Sequence, residues 1–133
     1  MHRTDSIVKL TDTDAAGILF YGNYFRLAHD AYESFIESVE FGLAYIINDA
    51  DIWLLIAHAG SDFKTSLRLG DKYAIEIRVD NIGRTSFTLK YDFLKPAGEL
   101  IASVKTVHVA VSKATGKPVS LPEKLRDNLT KHT

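Results

Sequence analysis

The chain has 133 residues, of which 46% are hydrophobic and 25% are charged, and its formal net charge is -1 at pH 7. This length fits one domain over residues 1–133, and the balanced charge offers no attraction to nucleic acid or to an anionic membrane. The absence of cysteine excludes disulfides, thiolate metal sites and a cysteine nucleophile, and it suits the reducing cytoplasm in which we expect the protein.

The first predicted element is a short strand in SIVKL, residues 6–10. The surrounding N-terminal segment lacks the apolar core of roughly 7 to 15 residues that a signal peptide needs. No stretch of the chain approaches the ~18 apolar residues that span a bilayer. We therefore expect neither export nor membrane association.

A long helix with one buried face is predicted from residue 24 to residue 39. Apolar residues recur there at the i, i+3, i+4, i+7 spacing of an amphipathic helix. They are Tyr24, Leu27, Ala28, Ala31, Tyr32, Phe35, Ile36 and Val39. Asn23 is placed to cap the first turn, and Gly42 is placed to end the helix in the left-handed conformation.

The second half of the chain shows the period of two that is typical of strands. After LAYIINDAD, which has some helical character, the predicted strands are IWLLIAHAGSDFKTSL, DKYAIEIRVD, TSFTLKYDFL and ELIASVKTVHVAVS. A short C-terminal helix is predicted in SLPEKLRDNL, where Ser120 and Glu123 have the spacing of a capping box. A lone striped helix must bury its apolar face, so we predict an α+β domain whose antiparallel sheet wraps around that helix.

Two acids, Asp12 and Asp14, stand just before the long helix in DTDAAGILFYGNY. One interpretation is a polar loop whose carboxylates accept hydrogen bonds from nearby backbone N–H groups. A calcium loop is a second, but its fifth position would be Ala16 and its twelfth Asn23, neither of which supplies the required carboxylate. The third is catalytic: Asp14 lies beside a helix N-terminus whose N–H groups can stabilise an oxyanion. Gly17 permits the tight turn that this arrangement needs.

The segment DTDAAGILFYGNYFRLAHDAYESFI resembles the motif of hotdog-fold acyl-CoA thioesterases of the 4-hydroxybenzoyl-CoA thioesterase type. That family has an aspartate in D-x-D-x-x-G, then apolar residues and an aromatic residue, then N-Y at the start of the central helix. The resemblance implies a hotdog fold, thioester hydrolysis of an acyl-CoA without a cofactor or metal, and a homodimer or homotetramer with CoA thioesters bound at the interface.

By position, the catalytic aspartate of that family corresponds to Asp14, which acts there as nucleophile or general base. Tyr21 corresponds to the aromatic residue whose backbone N–H polarises the thioester carbonyl. Asp12 would shape the turn. A sister clade uses a His-Gly-Gly segment and a glutamate within the helix, but HAG at His58 follows the helix, so we do not assign that arrangement.

The segments LAHDAYESFI, IAHAGSDF and TVHVAV resemble the branch that hydrolyses 1,4-dihydroxy-2-naphthoyl-CoA in phylloquinone and menaquinone synthesis. The competing branch holds short-chain acyl-CoA thioesterases of the Tol–Pal-associated type, which commonly have His where this chain has Gly22. An aromatic acyl group needs flat apolar walls with a few polar groups. The substrate-binding candidates are Gly17, Phe20, Tyr24, Trp53, His58 and Phe63.

Other chemistries find less support. His29 and Glu33 share a helix face, but no third metal ligand accompanies them, and neither a G-x-S-x-G elbow nor a phosphate-binding glycine loop occurs. The CoA phosphates would then contact scattered cations, for which we select Arg84, Lys90 and Lys113. A non-catalytic carrier of acyl or aromatic ligands is the alternative from another functional class, and a hotdog enoyl-CoA hydratase is a third.

Overall fold

A five-stranded antiparallel sheet wraps around one long helix in the computed structural model, which describes residues 1–133. The strands are β1 His2–Ile7, β2 Ile52–Phe63, β3 Lys72–Ile82, β4 Ser86–Leu94 and β5 Leu100–Ser112, in the sheet order β1-β3-β4-β5-β2. The helices are α1 Asn23–Ser38, α2 Leu43–Asn48 and α3 Glu123–Thr130, and a 3-10 turn covers Leu10–Asp12. The predicted α+β architecture is confirmed.

The core lies between α1 and the concave face of the sheet. Helix α1 buries most of the predicted stripe, namely Tyr24, Ala28, Ala31, Tyr32, Phe35 and Ile36. The period of two in the central strands supplies the other side of the core, with Tyr73, Ile75, Ile77, Val79, Phe87, Leu89, Tyr91 and Phe93 all buried. Each large apolar side chain buried in this way contributes roughly 1.5 to 3 kcal/mol to stability. None of the helices is long and apolar enough to cross a membrane.

The helix ends differ from the prediction. Gly22 occupies the position before the first turn of α1, and Asn23 is the first helical residue, with its side chain turned to a loop carbonyl instead of to its own helix. Gly42 has extended backbone angles, and the residue with positive φ after the helix is Glu40, at 59°. The predicted capping box at α3 is also wrong: Pro122 precedes that helix without a side-chain cap.

Two strand boundaries also differ, and both differences shape the region before α1. Strand β1 lies earlier than predicted because Leu10–Asp12 forms a helical turn. Strand β2 ends at Phe63, and the chain then leaves the sheet. Its residues 67–69 pair with the loop that carries the two acids: the Leu19 N–H donates to the Leu67 carbonyl at 2.8 Å, and the Leu69 N–H donates to the Gly17 carbonyl at 3.0 Å.

Candidate active site

The acidic segment before α1 folds into a small hairpin. The Phe20 N–H donates to the Asp12 carbonyl at 3.1 Å, Thr13 and Leu19 form an antiparallel bridge, and the Asp14 N–H donates to the Ile18 carbonyl at 2.9 Å. Gly17 closes the tip with φ at 75° and donates its N–H to the Asp14 carbonyl at 3.0 Å. That conformation suits glycine, so the turn predicted at this position is present.

Asp14 lies at the tip of this hairpin with its side chain exposed. One carboxylate oxygen, Oδ1, accepts the Ala16 N–H at 2.8 Å, while Oδ2 has no hydrogen-bond partner within the chain. Asp14 is two residues along the hairpin from Asp12, whose carbonyl is bonded to the Phe20 N–H. The Asp14 carboxylate therefore lies at the exposed tip of the hairpin that precedes α1, with one oxygen free of hydrogen bonds.

Asp12 has the opposite environment, with only 3% of its surface exposed. Its carboxylate accepts the Lys9 N–H at 2.8 Å and forms an ion pair with Arg26 of α1. Its carbonyl accepts hydrogen bonds from the Phe20 N–H at 3.1 Å and from Asn23 Nδ2 at 2.9 Å. These contacts fit the supporting role that the resemblance implied, and they leave Asp12 with no surface open to a ligand.

The backbone between the hairpin and α1 carries two unused donors. The N–H groups of Tyr21 and Gly22 donate to no acceptor within the chain, whereas the Phe20 N–H before them and the Asn23 N–H after them are both hydrogen-bonded. N–H groups at the start of a helix carry part of its positive dipole and attract negative charge. They are thus suitable donors to the oxygen of a thioester carbonyl.

Four of the predicted site residues form an aromatic cluster beside these donors. The ring centroids of Phe20 and Tyr21 lie 4.8 Å apart, and Phe63 makes edge contacts with Tyr21 at 6.5 Å and with Tyr24 at 5.0 Å. Tyr24 is 3% exposed, whereas Phe20, Tyr21 and Phe63 are 44%, 65% and 46% exposed. The three open rings and the buried one behind them meet at interplanar angles of 46° to 82°, and they give an exposed apolar wall that an aromatic acyl group can contact through face or edge.

His58 does not join this cluster. Strand residues alternate between the two faces of a sheet, and the pairings of His58 with Val107 and of Phe63 with Ala102 place these two side chains on opposite faces. His58 instead lines a groove of about 670 Å³ on the outer face together with Asp62. The spacing of His58 and Asp62 predicted that they share a face, and they do. Within one chain, however, none of the other predicted substrate-binding residues lines the groove that contains His58.

Trp53 and the three selected cations also lie elsewhere. The Lys113 ammonium stands 4.3 Å from the Trp53 ring centroid and donates to the Ile46 carbonyl at 2.6 Å, so Lys113 links α2 to the sheet. Arg84 donates to Ser120 Oγ at 3.1 Å. Lys90 forms no ion pair within the chain and faces the same outer groove as His58. The cations therefore do not converge on Asp14.

The pair His29 and Glu33 is a surface contact. Their side chains approach to 3.8 Å, both are about half exposed, and no group of three potential metal ligands occurs in the chain. None of the five main grooves of the chain is lined by Asp14, Phe20 or Tyr21. A single chain thus presents the site as an open surface.

Sequence reasoning missed two residues that organise the site, Asn23 and Arg26. Asn23 was interpreted as a helix cap from its local spacing, and Arg26 was given no role. Their contacts with Asp12 span 11 and 14 residues. The only sequence signal was that Asp12, in the segment before the helix, and Arg26, on the first turn of the predicted helix, carry opposite charges.

Comparison with known proteins places the chain among thioesterases. Residues 8–129 match the family model described as Thioesterase-like superfamily. A 1,4-dihydroxy-2-naphthoyl-CoA hydrolase of Rippkaea orientalis is 32% identical over 120 residues, which cover 89% of this chain and 87% of the relative. Its counterpart in Synechococcus elongatus is 30% identical and covers 91% and 89%.

Solved structures agree with these relatives. A 1,4-dihydroxy-2-naphthoyl-CoA thioesterase from Synechocystis superposes with a TM-score of 0.91 at 26% identity, over 97% of this chain and 95% of that one. A gentisyl-coenzyme A thioesterase superposes with a TM-score of 0.84 at 30% identity, over 96% and 98%. Both names describe a dihydroxylated aromatic acyl group joined to CoA.

Proposed function

We propose that this chain, which belongs to the Thioesterase-like superfamily, hydrolyses the CoA thioester of a dihydroxylated aromatic acid, with 1,4-dihydroxy-2-naphthoyl-CoA as its substrate. The family and the hotdog fold predicted from the sequence are confirmed. The proposal is supported by the similarity to 1,4-dihydroxy-2-naphthoyl-CoA hydrolases and by an exposed Asp14 in the hairpin that leads into the unused N–H groups of Tyr21 and Gly22 and the three open aromatic rings.

In the proposed mechanism, the thioester carbonyl oxygen accepts a hydrogen bond from the Tyr21 N–H, which stabilises the negative charge that develops when the carbonyl carbon is attacked. One oxyanion donor typically contributes about 2.7 to 4 kcal/mol to transition-state stabilisation. Because the donor is a backbone group, the Tyr21 side chain is not required for this step. Its ring instead lies against Phe20, where it contacts the acyl group.

Asp14 supplies the attack by one of two routes. As a nucleophile, its carboxylate oxygen bonds to the carbonyl carbon, the carbon–sulfur bond breaks, CoA leaves as a thiolate that takes a proton from water, and a second water hydrolyses the mixed anhydride. As a general base, it takes a proton from a water that attacks the carbonyl, and that proton passes to the departing sulfur. A single turnover in ¹⁸O-water that labels the Asp14 carboxylate identifies the first route with attack of water at the aspartyl carbonyl, because the general-base route places the label only in the released acid.

We further propose that a second copy of the chain completes the site. Strand β2 is an edge strand of the sheet, and its exposed apolar residues include Trp53, Leu55, Ile56 and Phe63. Natural proteins seldom leave a long apolar edge unpaired. Pairing of two β2 strands gives the homodimer and extends the wall formed by Phe63, and packing of two dimers gives the homotetramer. The predicted cytoplasmic location and the predicted contact of His58 with the substrate stay predictions.

The proposed function is tested with a panel of purified aromatic and aliphatic CoA thioesters, including the dihydroxynaphthoyl and gentisyl thioesters, by following the released thiol. Efficient cleavage of the dihydroxyaromatic members supports the proposal. Cleavage of short aliphatic members only supports the Tol–Pal-associated type instead. Binding that protects the thioester from cleavage identifies a ligand carrier.

A further inference from the structure

The carbonyl oxygen of Asp12 is the point where the acidic hairpin and helix α1 are joined. It accepts the backbone N–H of Phe20 at 3.1 Å, which is the last hydrogen bond of the hairpin, and the side-chain amide of Asn23 at 2.9 Å, from the first residue of the helix. The two donors come from opposite sides of the segment that links hairpin and helix.

That segment is Tyr21 and Gly22, whose N–H groups have no acceptor within the chain. A backbone bond from the Asn23 N–H to the Phe20 carbonyl at 2.9 Å closes this segment as a turn. Because its two ends are also fixed to the same oxygen atom, those two bonds orient the turn, and with it the unused donors, relative to Asp12. Asp14 belongs to the same hairpin as Asp12 and lies two residues farther along it. The bond from Asn23 consequently helps to fix how far the donors stand from the Asp14 carboxylate.

We infer that Asn23 is a positioning residue for the reaction: through the Asp12 carbonyl, it holds the Tyr21 and Gly22 N–H groups in register with Asp14. This inference rests on the proposed function. An amide fits the position because a carbonyl oxygen needs a donor, which a carboxylate of the same shape lacks. Donors displaced by even a fraction of an ångström lose their preference for the transition state, so the effect falls on the catalytic step more than on substrate binding.

The chain contains a matched control at the other end of α1. Asn128 Nδ2 donates to the carbonyl of Val39 at 2.7 Å, and Asn128 is half-buried, as Asn23 is. Val39 follows the last residue of α1, about 24 Å from the first turn at 1.5 Å per residue. Asn128→Ala therefore removes the same kind of bond from the same helix without touching the hairpin.

The experiment compares Asn23→Ala with Asn128→Ala in kcat, KM and Tm, using the aromatic CoA thioester that the wild type cleaves best. Asn23→Ala is expected to lower kcat about tenfold or more, which corresponds to 1.4 kcal/mol, with KM changed less than about twofold. Asn128→Ala is expected to lower Tm comparably and to leave kcat within about twofold of wild type. In an Asp14→Asn background, Asn23→Ala should add less than about a twofold loss, because the aligned pair is already broken.

A second readout does not depend on the substrate. Hydrogen exchange of the Phe20 amide should be faster in Asn23→Ala than in the wild type and unchanged in Asn128→Ala, since only the former loosens the shared acceptor. If Asn23→Ala does not fold, Asn23→Ser replaces it, because serine is favourable at a helix start and its side chain is too short to reach the carbonyl. Equal kcat values in the Asn23 and Asn128 variants of an active enzyme would overturn the inference, whereas an inactive wild type would count against the proposed function.

Discussion

Asp12 and Arg26 form an ion pair that ties the acidic hairpin to the first turn of α1, with Asp12 almost fully buried and Arg26 half exposed. The two acids of the motif thus have separate tasks. The Asp12 carboxylate is buried and fully engaged in structural contacts, whereas the Asp14 side chain is exposed and one of its carboxylate oxygens has no partner.

Arg26→Gln should lower the free energy of unfolding by about 1 to 2 kcal/mol, because it leaves a buried carboxylate with only the Lys9 N–H as a donor. The loss stays below that of a fully buried pair since Arg26 is half in solvent. Chemical denaturation measures it. Arg78→Gln, which breaks the more exposed contact with Asp92, is the control and should cost less than about 1 kcal/mol. An equal loss in the two variants would show that the pair with Asp12 has no special importance.

Gly22→Ala should change substrate use without unfolding the protein. The backbone of Gly22 is already in the helical region, so alanine is tolerated there without strain. A Cβ at this position would lie 3.0 Å from Phe20 Cε2, and the half-exposed Phe20 ring can move away from it. We expect kcat/KM for an aromatic thioester to fall several-fold as the ring leaves the wall, while the free energy of unfolding changes by less than about 0.5 kcal/mol. An unchanged preference between aromatic and aliphatic thioesters would remove Phe20 from the acyl site.

Phe63→Ala tests the aromatic wall directly. The variant removes the edge contacts with Tyr21 and Tyr24, and we expect kcat/KM for an aromatic thioester to drop about tenfold while short aliphatic thioesters are little affected, since one such ring contact is worth about 1 kcal/mol. Tyr45→Ala is the control, because Tyr45 is an exposed aromatic residue of α2 whose edge contact is with Phe41 and which lies outside both the aromatic cluster and strand β2. A uniform decrease for both substrate classes would point to altered assembly instead.

His108 should make the protein less stable in acid. It lies between the rings of Tyr32 and Phe87, at centroid distances of 4.5 Å and 4.9 Å, and its Nδ1 has no hydrogen-bond partner. Burial, and to a smaller extent the nearby His29, lowers the pKa of His108 from its ordinary 6.5 to about 4. Between these pH values the unfolded chain binds a proton that the folded chain does not. The free energy of unfolding is therefore unaffected by protonation of His108 above pH 6.5. It falls as the pH is lowered from 6.5 towards 4, by about 3 kcal/mol in total.

His108→Phe isolates this effect. A phenyl ring fits between the two neighbouring rings, and the hydroxyls of Tyr91 and Thr106 keep their mutual bond at 2.8 Å. We expect the unfolding free energy of the wild type to fall faster with acid than that of the variant between pH 6.5 and pH 4. Parallel curves in urea titrations over this range would contradict the assignment.

The elements that the sequence predicts well are those fixed by local periodicity. The stripe of α1 and the alternation in β3 and β4 each describe a surface that has to be buried, and the structure buries both. The order of the strands does not follow from such patterns. Strand β2 pairs with β5 and not with β3, the next strand in the sequence. Nothing within β2 or β5 specifies that partner.

The site shows the same division. Asp14, Gly17 and the neighbouring aromatic residues could be predicted as a candidate site because the hairpin and the start of α1 are contiguous in sequence. Asn23 was misinterpreted because a local capping rule competes with an acceptor 11 residues away. His58 and Phe63 were both selected as substrate-binding candidates, but their odd spacing places them on opposite faces of β2, so they do not line the same surface within one chain.

The central claim is that Asp14 carries out the attack on the thioester, and Asp14→Asn tests it most directly. The amide keeps an oxygen to accept the Ala16 N–H but can neither form the anhydride nor take a proton from water. With the dihydroxynaphthoyl thioester, we expect kcat to fall at least about a hundredfold, or roughly 3 kcal/mol, with Tm and oligomeric state unchanged. Asp127→Asn, at an exposed acid on α3, should retain full turnover. Substantial turnover by a folded Asp14→Asn variant would contradict the account.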